Sequence, residues 1–124
     1  MIESAFYQYI VAQSIIAGEK VHYEKLQFQG QTDYFVYSVI DQARPLNIDN
    51  SSSKRRAGFQ LDIYSKDIDT LQSLRDATVL AFHGQGFAID GHIVQHCFVE
   101  SEISGFEEES EHYRIALTIN VYFD

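Results

Sequence analysis

The chain has 124 residues, 45% of them hydrophobic, and a formal net charge of −9 at pH 7. That length suits a single domain over residues 1–124 with a sizeable core, and the acidic balance argues against tight binding to phosphate backbones, which depends on cations. The single Cys97 excludes an internal disulfide, and no apolar run approaches the roughly 20 residues that span a bilayer.

The start carries Glu3 and broken apolar stretches where a secretory leader has a basic flank and a continuous apolar core, so the expectation is a soluble, cytoplasmic chain. Residues 2–17 put Phe6, Ile10 and Ile15 on one stripe and read as a helix stopped by Gly18. Tyr7 and Tyr9 fall away from that stripe. Surplus aromatics on an exposed helix face suit a protein contact, although tyrosine also sits comfortably at the rim of a core. Residues 19–32 are polar and punctuated by glycine, compatible with a short strand or an irregular connection. The β-branched and aromatic run from Tyr34 to Ile40 predicts a strand.

From Gln42 the pattern collapses. Residues 42–56 hold the only proline, Pro45, an Asn/Asp/Ser cluster containing Asn47 and Asp49, and the basic run Lys54, Arg55, Arg56. This composition predicts a long exposed loop, and a loop of that length in a small domain suits a contact with a partner.

The stretch Gly58–Gly84 is the most regular in the chain. Phe59, Leu61 and Ile63 alternate with Gln60, Asp62 and Tyr64, the period of a half-buried strand. Asp67 then offers a carboxylate to the next turn, and Asp69 adds negative charge where a helix dipole is positive. Ile68, Leu71, Leu74, Thr78, Ala81 and Phe82 recur at helical steps, and Gly84 takes the left-handed cap position.

Gln85–Gly91 reads as a glycine-rich turn. Residues 93–103 form a strand whose alternation slips, so that either both faces are covered or a bulge intervenes. Residues 104–111 predict an acidic turn or loop carrying Glu107, Glu108 and Glu109. Tyr113–Phe123 alternates cleanly and should pair with residues 93–103 as an antiparallel hairpin. The order α-β-β-α-β-β predicts an α+β fold, an antiparallel β-sheet packed against two helices.

Chemistry has little foothold in this pattern. His92, His96 and Cys97 lack the spacing of a four-ligand structural zinc site. No nucleophile elbow or phosphate loop is present, and His83-Gly84-Gln85-Gly86 follows a helix, whereas phosphate-binding loops precede one. No catalytic, cofactor-binding or metal-binding residue is assigned, and the expectation is a protein that is not an enzyme. Opposite charges in separate loops, 54–56 and 107–111, suit head-to-tail pairing between copies or two solvated loops.

The tyrosine-rich first helix, the strand VYSVID running into Pro45 and a polar loop, then GFQLDIYSKDIDTLQSLRDAT and a closing YRIALTINVYF, together resemble the tail-terminator or tail-completion proteins of long-tailed bacteriophages, the lambda tail-terminator-like kind. The resemblance covers most of the chain; residues 19–32 and the acidic SGFEEESE segment have no match in it. It implies a structural subunit of the virion, assembled in the host cytoplasm. Its copies form a ring, usually sixfold, that caps the tail tube, stops its polymerisation and offers the head a joining surface. The implied partners are further copies of the chain, the major tail tube protein and a head-completion or neck protein, with DNA only as passing cargo and no membrane. The candidate contact residues are Tyr7, Tyr9, Asn47, Asp49, Lys54, Arg55, Arg56, Glu107, Glu108 and Glu109. The alternatives are another neck component, such as a head-completion or stopper protein, and a small ligand-binding α+β domain.

Overall fold

A computed structural model describes residues 2–16, 20–23, 32–43, 55–89, 91–108 and 111–123. The elements are α1 (Ile2–Ala12), β1 (Val21–Tyr23), β2 (Asp33–Ala43), β3 (Arg55–Ser65), α2 (Ile68–Phe82), β4 (Phe87–Ile89), β5 (His92–Glu107) and β6 (His112–Phe123). The strands form one sheet in the order β1-β2-β3-β6-β5-β4. The class is α+β, with two helices on one sheet face.

Three features differ from the pattern read in the sequence. Among the described residues the sheet has six strands rather than four, because β1 and β4 are three-residue pieces too short to show a period. It is mixed, since β1 runs parallel to β2 while every other pair is antiparallel. Finally, α1 ends at Ala12, well before Gly18. There Gln13 N–H reaches back to Tyr9 and Ile10, and Ser14 takes a left-handed φ of 57°, a helix-ending conformation usually given to glycine.

The strand-helix unit 58–84 forms as its period demands. Phe59, Leu61 and Ile63 are fully buried under the helices, in register with Ile119, Leu117 and Ile115 of β6 and with Val39, Tyr37 and Phe35 of β2. Asp67 caps α2 by accepting from the Thr70 N–H (3.1 Å) and hydroxyl (2.7 Å). Ser65 steadies the turn before it, donating to Asp33 at 2.5 Å and accepting from Asp67 N–H. Gly84 closes the helix at φ +76°. Leu71, Thr78 and Phe82 face the core, with the Thr78 hydroxyl satisfied by the Leu74 carbonyl, whereas Ile68 at the first turn is half exposed.

Phe6 joins the layers. Its ring stacks on Phe59 at 3.9 Å and lies 5.1 Å from Phe82, so α1, β3 and α2 meet at one aromatic contact. The slip in β5 is two bulges, at Gln95 and at Glu100, which return Val94, Cys97 and Val99 to the helix side against Phe123, Val121 and Ile119. β5 and β6 make the expected hairpin, but β5 continues through Glu107, so residues 104–107, expected in a turn or loop, are strand.

Candidate assembly surfaces

The sheet face away from the helices is where polar and aromatic side chains gather. The register sends Tyr34, Val36 and Ser38 of β2, Gln60, Asp62 and Tyr64 of β3, and Arg114, Thr118 and Tyr122 of β6 to this side. At one end Tyr34 and Tyr64 stack at 4.6 Å, and the buried His112 meets Tyr34 edge-on at 5.2 Å. Burial raises the phenol pKa of Tyr34 above its usual value and pushes that of Tyr64 up to about 12. At the other end His96, Phe98 and Tyr122 cluster with centroids 5.0–6.1 Å apart. Sequence reasoning placed Tyr64 and Tyr122 on this side but missed the cluster, because the bulges of β5 hide the parity of His96 and Phe98.

The predicted contact residues divide into four groups. Asn47, Asp49, Lys54 and Glu109 lie outside the described residues, as does most of the predicted loop 42–56. Arg55 and Arg56, assigned to that loop, belong to β3 instead, because β2 and β3 continue pairing to Ala43 and Arg56. Arg55 is exposed. Arg56 holds Asp41 with two hydrogen bonds, 3.2 and 2.6 Å, and donates to Asn120 at 2.8 Å. These bonds hold the Asp41 carboxyl below the usual carboxylate range. The pair needs Gly58 beneath it, since a Cβ there would collide with the Asp41 carboxylate.

Tyr7 is half-buried against Tyr37. Tyr9, expected on an exposed face, is buried: it stacks on Phe87 at 3.9 Å and donates its hydroxyl to the Ala81 carbonyl at 2.6 Å, tying α1 to α2 and β4. The reason is β4, whose existence the sequence did not reveal. Glu107 lies at the end of β5, 3.9 Å from Arg114, which also reaches Asp62 at 3.5 Å; Glu108 is exposed beside it.

The basic and acidic groups are not neighbours. Arg56 is paired with Tyr122 and Glu107 with His112, ten residues apart along β6, which is about 33 Å of strand. They occupy opposite poles of the sheet.

Grooves in the helix layer are open and weakly polar. The one between α1 and α2, about 430 Å³, is lined by Tyr9, Ile15, Leu80 and neutral neighbours. Another, of about 410 Å³ beside β5, carries Arg75, Asp76 and Glu102, but these charges pair with one another at 2.6 and 2.9 Å. Among the described residues no three His, Cys, Asp or Glu side chains converge as metal ligands. Cys97 is buried, and burial pushes its thiol up to about 12. No helix among the described residues is long and apolar enough to cross a membrane.

Compared with solved structures, the fold is similar to a chain of the "Virion of native gene transfer agent (GTA) particle". The TM-score is 0.65 at 14% identity, over 94% of this chain and 90% of that one. An α+β layer of this kind is thus a fold used inside a virion. The family model described as "Tail completion protein gp17" matches residues 13–124; the chain belongs to that family and is a structural component of the phage tail. No curated protein matches the chain significantly.

Proposed function

We propose that the protein terminates the tail: copies assemble as a ring on the end of the tail tube, stop its growth and present the surface on which the head is joined. The observation that carries this reading is the separation of charge along the strands, Arg55 and Arg56 at one pole and Glu107 and Glu108 at the other, about 33 Å apart. In a ring whose axis follows the strands, each pole meets a different axial neighbour, the tube protein on one side and a head-completion or neck protein on the other. The segment Asn47–Ser53 and Lys54, read from the sequence as partner-contacting, precede Arg55 in the chain. A net charge of −9 per copy suits the lining of a conduit, because repeated negative charge keeps passing DNA from adhering. The role breaks no bond and calls for no cofactor.

The test is electron microscopy of tail tubes polymerised with and without the protein. Added protein should fix tube length and leave a ring at one end, and deletion of Asn47–Ser53 should abolish attachment. Tubes that grow unchanged in its presence would rule out termination, and binding only to head particles would identify a neck component instead.

A further inference from the structure

The hydrogen-bonding directions of β5 leave one strand edge open. Cys97 turns its N–H and C=O away from β6, toward Gln85 and Gly84. Cys97 is in register with Val121, and β6 runs against β3 without a register shift, so the odd-numbered residues of β6 keep their backbone toward β3. Their β5 partners Glu102, Ser104 and Phe106 therefore point N–H and C=O outward. Ser101 through Phe106 are all exposed, and among the described residues nothing pairs with them, because β4 reaches only Val94 and the end of α2 only Val99. An edge of this kind is usually guarded by unpaired charge. Here the one carboxylate between Ser101 and Phe106, that of Glu102, is held by Arg75 at 2.9 Å, while Ile103 is 68% exposed and Phe106 50%.

The edge is complementary to itself. About a two-fold axis through Ser104, normal to the sheet, two copies of β5 run antiparallel with Ser104 facing Ser104 and Glu102 facing Phe106. Every outward residue then meets an outward residue, and each such pair exchanges both backbone hydrogen bonds. Moving the axis by one residue sets Phe106 against Glu100, at the bulge, or Glu102 against Glu108, past the end of β5. The side chains fit the same alignment. Glu102 lies on the helix side with Arg75, and Phe106, separated from it by no register shift, shares that side. The Phe106 ring of one copy thus comes opposite Glu102 of the other, at the groove of about 410 Å³ lined by Arg75, Val79 and Leu80. On the far face Ile103 comes opposite Gly105, where a Cβ would meet nothing within 4 Å, and covers the bare backbone. No two carboxylates face each other across the paired stretch.

We propose that two copies of the chain pair edge to edge through Glu102–Phe106 of β5, joining their sheets into one across an isologous contact. The pairing goes beyond the ring reading and does not rest on it. A two-fold contact is complete with two copies and cannot propagate around a ring, so the ring contacts lie elsewhere on the chain.

The test is sedimentation velocity of the purified full chain over a concentration series, without tail tubes. Wild type should dimerise. Ser104→Pro, which removes an outward donor while sparing the ladder to β6, should raise the dimer dissociation constant at least tenfold. Ser104→Glu keeps the backbone donor and sets like charges directly opposite each other at the axis; it should give the same shift, and it decides the matter if the proline unfolds the chain. Register is read by thiol oxidation, since the native Cys97 is buried. The two Ser104 Cα atoms of a pair lie about 5.5 Å apart, within disulfide reach, so Ser104→Cys should oxidise to a covalent dimer on a non-reducing gel. The two Ser101 Cα atoms lie about 20 Å apart along the strands, and Ser101→Cys should stay monomeric on the same gel. A wild type that is monomeric at every concentration, or a dimer that both Ser104→Pro and Ser104→Glu leave unchanged, overturns the pairing. Equal cross-linking at the two positions overturns the two-fold register and the proposal with it. Each of these outcomes leaves tube capping to be judged separately by the microscopy above.

Discussion

Glycines with equal freedom in the sequence have unequal roles here. At Gly86 a Cβ would press on backbone, 2.5 Å from the Gln95 carbonyl oxygen and 2.8 Å from that of Val94, whereas at Gly58 it would meet the end of the Asp41 side chain. Backbone in a bulge cannot yield, but an exposed carboxylate can swing away. Gly86→Ala should therefore cost about 1–3 kcal/mol, as overpacking does, while Gly58→Ala should loosen the Arg56–Asp41 pair with a much smaller shift in the urea midpoint. Equal midpoints for the two variants would contradict this account. Phe6 is the other decisive single residue: removing its ring leaves Phe59 and Phe82 facing a void, and Phe6→Ala should cost about 3–5 kcal/mol in the same measurement.

At the scale of elements, what the sequence revealed depended on length and regularity. The strand-helix unit 58–84 and the strand 113–123 carry enough repeats of period 2 or 3.6 to fix type, face and caps. β1 and β4 do not, and the extension of β2 and β3 to Ala43 and Arg56 is carried by backbone pairing and an ion pair that no apolar pattern announces. The contact residues were less legible than the fold. The hydroxyl of Tyr9 finds its partner on a helix 72 residues away, and the bulges of β5 are set by backbone pairing, which side-chain pattern does not encode.

The cap of α2 gives a pH prediction. The Thr70 hydroxyl and N–H hold the Asp67 carboxyl below its ordinary value of 3.8. A depressed pKa means that the folded state favours the ionised form, so the cap's contribution is complete above that ordinary value and is lost as pH falls through the depressed one. Asp67→Asn keeps an acceptor without a titration. Between pH 7 and pH 3 its urea midpoint should fall less than that of wild type, and parallel curves would show that the cap does not contribute to acid unfolding.

For the whole molecule, the sheet acts as a spacer. At physiological ionic strength screening acts over about 8 Å, so poles about 33 Å apart along β6 do not sense each other's charge. Arg55 is exposed at one pole and Glu108 at the other, and neither packs in the core. Arg55→Glu should weaken one axial junction, to the tube or to the head-side partner, and leave the other unchanged; Glu108→Lys should do the reverse. Both effects should shrink as salt is raised, since exposed pairs contribute only about 0.2–1 kcal/mol each. Because the sites share no partner, the double variant should lose the sum of the two within about 0.5 kcal/mol. Binding of each variant to purified tubes and to heads, measured at two salt concentrations, separates the junctions. If both substitutions weakened the same junction, the strands would not lie along the ring axis, and the poles would face neighbouring copies instead.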